Sequence, residues 1–351
     1  MTTVALALTG PRRVALVEEE PEAPLGPSEV RLRTLLSGVS TGTELAAYRG
    51  SSPFLHKQWD PQRRLFVDHD RQDLDPYPLL SWGYEEVGEV VEVGSAACLK
   101  LGVRVYGAWG HRSQHVASAD WAAERVLPPE VDPAVGIFSH IGATALNAVL
   151  DASPRLGETV AVFGLGVVGQ LIAQLLRLAG AHVIGVEPLA ARASLARSLG
   201  TPMVIDPMAD SPAEHIRALT GGRGADVCVE ASGVPGALHE AVRACAPAAR
   251  VIAVGFYQGG AEALRLGEEF HHNRVSIVSS QIGSVAPELS TRWDRRRLVH
   301  TFMHLAIEGQ VHCTDLITHR VPLARAADLF RLLDEQPAAV LQAVLDFGAC
   351  E

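Results

Sequence analysis

Apolar and polar positions change rhythm twice along this chain. In the first third, short runs alternate with period two between turn residues: Glu29-Val30-Arg31-Leu32-Arg33-Thr34, Val87 to Val93, and Val103-Arg104-Val105-Tyr106. That alternation belongs to half-buried strands, so this part predicts a small, mostly antiparallel barrel. Between those runs, residues 51–77 are polar, Pro-bearing and rich in Asp, Arg and His, and read as a long surface loop. From about Asn147 the texture becomes strand, helix, strand, helix. Strands are expected at 159–163, 182–187, 203–205, 226–230, 249–255 and 275–279, with helices near 167–179, 190–199, 212–219 and 235–245. Strands and helices in strict alternation predict a doubly wound parallel sheet. After Gly283 the rhythm changes again. A charged stretch, Arg292 to Arg297, leads into a helix near 295–308. A strand follows at 316–322, then an amphipathic helix over Leu323 to Glu335 and a last strand from Val340 to Phe347.

The first strand of the alternating region breaks into Gly164-Leu165-Gly166-Val167-Val168-Gly169 and becomes a helix. In a G-x-G-x-x-G turn the first glycine permits the tight turn, the second lets a pyrophosphate approach the backbone, and the third lets helix and strand pack closely. Gly164, Gly166 and Gly169 take those roles. Val167 and Val168 open the helix, whose free N–H groups and dipole favour phosphate. The second strand ends in Glu187, about twenty residues past the glycines, where a carboxylate hydrogen-bonds a ribose 2′-OH. These features predict a dinucleotide site, and Glu187 favours NAD because it repels the 2′-phosphate of NADP. Arg192 is placed to serve such a phosphate instead. Thr144 is a further candidate cofactor contact.

At 351 residues the chain fits two domains, and 48% apolar composition is ample for two cores. The net charge of −10 argues against nucleic acid as a partner, because a phosphate-binding face needs a basic excess. Cys98, Cys228, Cys245, Cys313 and Cys350 are scattered and form no C-x-x-C, which fits a reducing compartment and gives no cysteine zinc site. The N-terminus has no basic-then-apolar signal, and no apolar run is read as reaching membrane-spanning length. The expectation is a soluble cytoplasmic protein with no membrane partner.

Four ordered segments resemble the medium-chain dehydrogenase/reductase superfamily over nearly the whole chain. They are Gly42-Thr43-Glu44; Gly83-Tyr84-Glu85-Glu86-Val87-Gly88-Glu89-Val90-Val91-Glu92-Val93-Gly94; Gly224-Ala225-Asp226-Val227-Cys228-Val229-Glu230-Ala231-Ser232-Gly233; and Leu316-Ile317-Thr318-His319-Arg320 with Pro322-Leu323. The resemblance implies a GroES-like barrel built from both chain ends, residues 1–146 completed by 284–351, around a Rossmann domain at 147–283. It also implies substrate and nicotinamide cofactor. Zinc-dependent members bind catalytic zinc through a cysteine, the histidine of G-H-E and a third residue. Here the cysteine position holds Thr41, or Ser40 with a one-residue shift, and the histidine position holds Tyr84. His140 stands at the third position and Glu85 keeps the acidic neighbour. One imidazole and one carboxylate do not make a tetrahedral site, so no metal is expected. The alternative is a rearranged site using His140, Glu85 and one of His56, His69 or His111.

The resemblance assigns Thr43 to proton relay, against a plain turn-capping role. Tyr84 is a candidate general acid/base, or a phenol filling vacated metal space. Glu85 either orients Tyr84 or pairs with an arginine. His140 is a proton donor, a ligand remnant or an interior hydrogen-bonded group. His111 and His115, four apart, are expected on one face of a strand, one of them lining the cleft or both simply satisfied within the barrel. His271 and His272 point apart and carry no metal, and His319 is structural. The expected activity is hydride transfer between NAD(H) and a secondary alcohol or ketone of polyol, sugar or bulky ring type. Zinc-free reduction of an activated C=C bond and non-catalytic NAD binding are the alternatives. Val275 to Ser279 is a candidate edge strand pairing two copies, for a homodimer or homotetramer.

Overall fold

The computed structural model describes residues 3–19, 24–68 and 76–348. They form two compact units, residues 141–313 and residues 1–140 with 314–351.

The continuous unit carries a six-stranded parallel sheet. Its order is Met203–Ile205, His182–Val186, Thr159–Phe163, Ala225–Glu230, Cys245–Ala253 and Ser276–Ser279. The chain leaves the central strand Thr159–Phe163 toward one edge, then returns beside it with Ala225–Glu230 and builds toward the other. The order of connection therefore reverses between Thr159–Phe163 and Ala225–Glu230, the place where such sheets open a crevice. Helices Val167–Leu178, Ala190–Ser198, Pro212–Leu219 and Pro235–Ala244 supply the crossovers. One core cluster includes Phe163, Val186, Ile205, Ile216, Cys228, Val242 and Val251, all buried. This is the Rossmann architecture expected from the sequence.

Helix Arg295–Ile307 also belongs to this unit. Its charged opening reads as a departure, but Leu298, Phe302, Met303 and Ala306 form a buried stripe. A Cβ at Gly142 would fall 2.0 Å from the Phe302 ring, so the two packing elements meet at a glycine. The units accordingly divide at 140/141 and 313/314, where the sequence analysis places 146/147 and 283/284.

The other unit is built on a seven-stranded sheet. Strand Glu29–Val39 is its hub, pairing antiparallel with Glu86–Val93, Gln114–Ser118 and Gln342–Asp346. Register shifts at Arg31/Leu32 and Thr34/Leu36 let one long strand serve several partners, as a barrel-type sheet requires. Arg104–Gly107 and Val126–Leu127 extend one side, and Ile317–Pro322 joins Gln342–Asp346 in parallel on the other. A hairpin of Thr3–Gly10 and Arg13–Glu19 is attached through bridges at Ala5 and Leu8.

Two expectations need correction. Residues 51–77 are not a plain loop. They contain the hairpin Lys57–Asp60 with Leu65–Asp68, in which Trp59 faces Phe66 with ring centroids 5.1 Å apart. Both ends of the segment are tied to helix Thr43–Arg49: the Ser51 and Ser52 amides donate to the Ala46 carbonyl, and the Tyr77 hydroxyl to that of Ala47. Residues 69–75 lie outside the described residues. Second, one apolar helical run, Pro133–Ala152, is long and apolar enough to cross a membrane. It is buried over 78% of its most apolar window, as the core helix of a globular fold is.

Candidate active site

The nucleotide-binding part is assembled at the end of strand Thr159–Phe163. Gly164 has φ +86°, and a Cβ there would meet Ser232 at 2.7 Å. At Gly169 a Cβ would lie 1.9 Å from the Gly164 carbonyl oxygen, so only glycine lets helix and strand approach this closely. Gly166 differs from both. Its φ of −66° suits any residue, and the nearest atom to a Cβ is Arg192 Nη1 at 3.9 Å. The fold leaves open the space that a pyrophosphate needs. Gly166 caps helix Val167–Leu178 without a side-chain partner, so the first-turn amides around Val167, Val168 and Gly169 point free of the helix ladder. The residues therefore fit a dinucleotide.

Glu187 is 3% exposed, and its carboxylate accepts from the Leu165 amide at 2.7 Å and the Leu189 amide at 3.0 Å. It is thus locked onto the glycine-rich turn. Arg192 lies over the same turn, its carbonyl held by Gln170. Carboxylate and guanidinium flank one loop, which is why the sequence alone leaves NAD and NADP in competition. Thr144 is half-buried on helix Ser139–Ala152.

Sequence reasoning missed Glu230 as a site residue, although the motif around it carries the family resemblance. It ends strand Ala225–Glu230 beside the glycine-rich turn and is fully buried. Its carboxylate accepts from the Ser232 amide at 2.8 Å, the Gly233 amide at 3.2 Å, the Ser232 hydroxyl and the Tyr257 phenol. The signal was a carboxylate closing the apolar run Val227-Cys228-Val229, where a buried acid needs donors. Burial first, then Glu230, pushes the Tyr257 phenol far up, so it remains a donor.

The other unit holds a cluster of hydroxyls. Tyr84 Oη donates to Ser40 Oγ at 2.6 Å and also hydrogen-bonds with Thr43, which opens helix Thr43–Arg49. The His140 ring packs on the Tyr84 ring with centroids 4.6 Å apart. Tyr84, Thr43 and His140 are therefore brought together, and Ser40 rather than Thr41 is the residue that meets the phenol. Burial first, then the nearby carboxyl groups of Glu85 and Glu44, pushes the Tyr84 phenol far above its ordinary range. It is a hydrogen-bond donor at neutral pH.

Glu85 neither orients Tyr84 nor pairs with an arginine. Its carboxyl turns the other way, into hydrogen-bond contact with Gln342 Nε2 at 3.0 Å and against Gly38. Burial, then Glu44 and Glu86, raises it well above the carboxylate range, so it carries a proton. His111 and His115 do not share a strand face, because strand Gln114–Ser118 begins after His111. His111 is buried between Glu44 and Ser37. His115 stacks on Trp109 at 5.5 Å, and burial with nearby Arg112 lowers it to about 4.

This donor set does not fit catalytic zinc. It offers hydroxyls and a phenol where thiolate and imidazole are needed, and the Glu85 carboxyl is turned away toward Gln342. His111 spends both ring nitrogens on Glu44 and Ser37, and His56 faces the Gly50 carbonyl. His69 lies outside the described residues. Among those described, the three-residue group of ligand type is His239 with Glu268 and Glu269, in the other unit.

Comparison with known proteins agrees with this architecture. Residues 167–296 match the family described as zinc-binding dehydrogenase. The chain is 32% identical over 339 residues to D-guloside 3-dehydrogenase of Escherichia coli (strain K12), covering 95% of this chain and 96% of the relative. Two solved structures share the fold at 21% identity, each covering 99% of both chains. One is a zinc-binding dehydrogenase of Sinorhizobium meliloti 1021 bound to NADP, with TM-score 0.75. The other is an alcohol dehydrogenase of Escherichia coli CFT073 complexed with NADH, with TM-score 0.74. The chain belongs to the medium-chain dehydrogenase/reductase superfamily and is an oxidoreductase of the alcohol dehydrogenase type, acting on a secondary alcohol with a nicotinamide cofactor.

Proposed function

We propose that this enzyme oxidises a secondary hydroxyl of a sugar or polyol, or reduces the corresponding ketone, with NAD(H) and without catalytic zinc. The observation that carries the reading is the Ser40–Tyr84–Thr43 cluster, which puts hydroxyl donors and acceptors at the positions where the sequence resemblance expects zinc ligands. The 32% identical relative acts on a D-guloside at carbon 3, which supports the sugar class.

Bound nicotinamide supplies the hydride acceptor or donor. The chain's own task is the proton and the oxygen. On substrate binding Tyr84, held neutral by burial, turns its one hydroxyl proton from Ser40 to the substrate oxygen and so stabilises charge growing there. Ser40 and Thr43 accept and pass on the hydroxyl proton, and His140, packed on the phenol, is the group of this cluster suited to exchange it with solvent. Glu187 favours NAD by its charge at the glycine-rich turn. Arg192 supports a second reading, in which the cofactor is NADP(H). Beyond the cofactor and a small-molecule substrate, the proposed partner is a second copy of the chain, a homodimer or homotetramer meeting at strand Ser276–Ser279. The net charge of −10 supports no nucleic-acid partner, and a cytoplasmic, membrane-free location belongs to the same proposal.

The test is turnover, followed as NADH or NADPH formation, on methyl hexopyranosides, polyols and 2,3-butanediol, alongside elemental analysis. Turnover without stoichiometric zinc and insensitive to chelator is expected, with NAD bound more tightly than NADP. Tyr84→Phe should lower kcat by roughly 10²-fold with little change in NADH affinity. About one zinc per chain with activity lost to chelator would overturn the metal-free reading. Tight NADH binding without turnover on any substrate would support a non-catalytic protein.

A further inference from the structure

The sequence singles out His111 and the proposed chemistry does not use it. It is 1% exposed, inside a chain of four buried groups. Its Nε2 lies 2.7 Å from Glu44 Oε2, and its Nδ1 lies 2.7 Å from Ser37 Oγ. Ser37 Oγ lies 2.9 Å from Glu86 Oε1, and the other oxygen of Glu86 accepts from the Trp109 amide at 2.7 Å. The ring sits on the backbone of Gly83, where a Cβ would come within 2.8 Å, and edge-on to Trp82.

A proton count constrains this chain. Ser37 has one hydroxyl proton and two neighbours. If that proton goes to Glu86 as carboxylate, then Nδ1 must donate to Ser37, and His111 is an imidazolium. If Glu86 carries a proton and donates to Ser37, then Ser37 donates to Nδ1, and His111 is neutral. Both arrangements satisfy every hydrogen bond, both leave Nε2–H on Glu44, and both contain the same number of protons. Removing one proton orphans an acceptor in a place without water, which is costly. A third arrangement, with Nδ1–H on Ser37 and Nε2 accepting from a protonated Glu44, holds the same number of protons, so His111, Glu86 and Glu44 share one proton along a single hydrogen-bonded chain. Glu86 is raised, by burial first. His111 is raised as well, because Glu44 and Glu86 outweigh the burial that would lower it. The remaining charged or titratable neighbour is Glu85, neutral and bound to Gln342.

The far end of the chain reaches the hydroxyl cluster. Glu44 Oε1 accepts from the Ser40 amide at 3.0 Å, and Ser40 Oγ accepts from Tyr84. We propose that His111 is the positioning residue of the active site: clamped between Glu44 and the Ser37–Glu86 pair, it holds the Glu44 carboxyl seated on the Ser40 backbone and so presents the Ser40 hydroxyl to Tyr84. Loss of the His111 ring frees the Glu44 carboxyl to rotate, and the Ser40 turn loosens with it. This rests on the role proposed above for Tyr84, so its test needs one arm independent of turnover.

Three variants serve. His111→Gln keeps a donor for Glu44 and an acceptor for Ser37 but holds no mobile proton. Ser37→Ala cuts off Glu86 without touching the cluster. Glu86→Gln fixes the donor toward Ser37 and so fixes His111 neutral. The expected results for His111→Gln and Ser37→Ala are a kcat lower by roughly tenfold, NADH affinity within about twofold of wild type, and a displaced pH profile of kcat. The second arm is NMR. The wild-type His111 ring should not titrate between about pH 6 and 9, and in Glu86→Gln it should become a neutral Nε2–H imidazole. The Tyr84 Cζ resonance should move in His111→Gln and Ser37→Ala. A folded Ser37→Ala with unchanged kcat, pH profile and Tyr84 resonance overturns the proposal, even where His111→Gln fails to fold. If wild type turns over no substrate, the function reading falls, while the Tyr84 and His111 resonances still decide whether the clamp exists.

Discussion

A carboxyl group sealed from water changes what pH does to the whole fold. Glu85 is raised chiefly by burial, so the folded protein holds its proton after the unfolded chain has released it. Its contribution to stability is complete below the ordinary carboxylate range and declines as pH climbs from there toward its own raised value. Glu85→Gln stays neutral throughout. It should melt higher than wild type at pH 8, by on the order of 2–4 °C, and the gap should close toward about pH 5 in calorimetry. Activity should survive, since the carboxyl faces Gln342. Equal melting at all pH values would mean Glu85 is ionised in the fold. Gly166→Val makes the opposite separation. The backbone accepts a side chain there and no atom blocks it, so melting should change by about 1 kcal/mol while NADH affinity falls more than about 100-fold. Retained affinity in calorimetric titration would move the phosphate site elsewhere. The three glycines were legible because their roles are steric and local. Glu85 and His111 were not, because their partners, Gln342 and Ser37, arrive from distant parts of the sequence and side-chain direction cannot be read from either neighbourhood.

At the scale of elements, the central parallel strands Thr159–Phe163 and His182–Val186 were readable because both faces are covered and each is a short, nearly unbroken apolar run. Met203–Ile205 and Pro212–Leu219 fall where periodicity puts them. The hairpin at Lys57–Asp60 and Leu65–Asp68 was not readable. Its apolar positions are few and charges interrupt them, and its order comes from the Trp59–Phe66 cross-strand pair with Phe54 leaning on Phe66. Strand Ser276–Ser279 ends the parallel sheet with one side unpaired among the described residues, and Val278 is exposed. An open edge of this kind is normally charged, covered or paired. If two copies pair there, Val278→Lys should shift sedimentation velocity from dimer or tetramer toward monomer with the nucleotide site intact. A wild-type monomer, or an unaffected oligomer, would place the interface on another surface.

At the scale of the whole molecule, the division into two units was visible as a change of rhythm, while the seam was not. The charged start of helix Arg295–Ile307 resembles a linker, and only its later buried stripe reveals that it belongs with residues 141–313. One unit is continuous in sequence and the other is made from both ends. During synthesis the continuous unit is complete once Cys313 has emerged. Strand Glu29–Val39, among the first made, must wait for Gln342–Asp346, among the last, before Leu36 meets Asp346 and the sheet closes. Contacts between distant parts of a chain form late, and an unpaired strand edge is an aggregation hazard while it waits. A chain stopped after Cys313 should therefore still protect residues 141–313 from protease and bind NADH, while its N-terminal sheet is cleaved or drawn into aggregates. The order in which the ribosome delivers the molecule makes the unit carrying the glycine-rich turn mature before the other, which must await Gln342–Asp346.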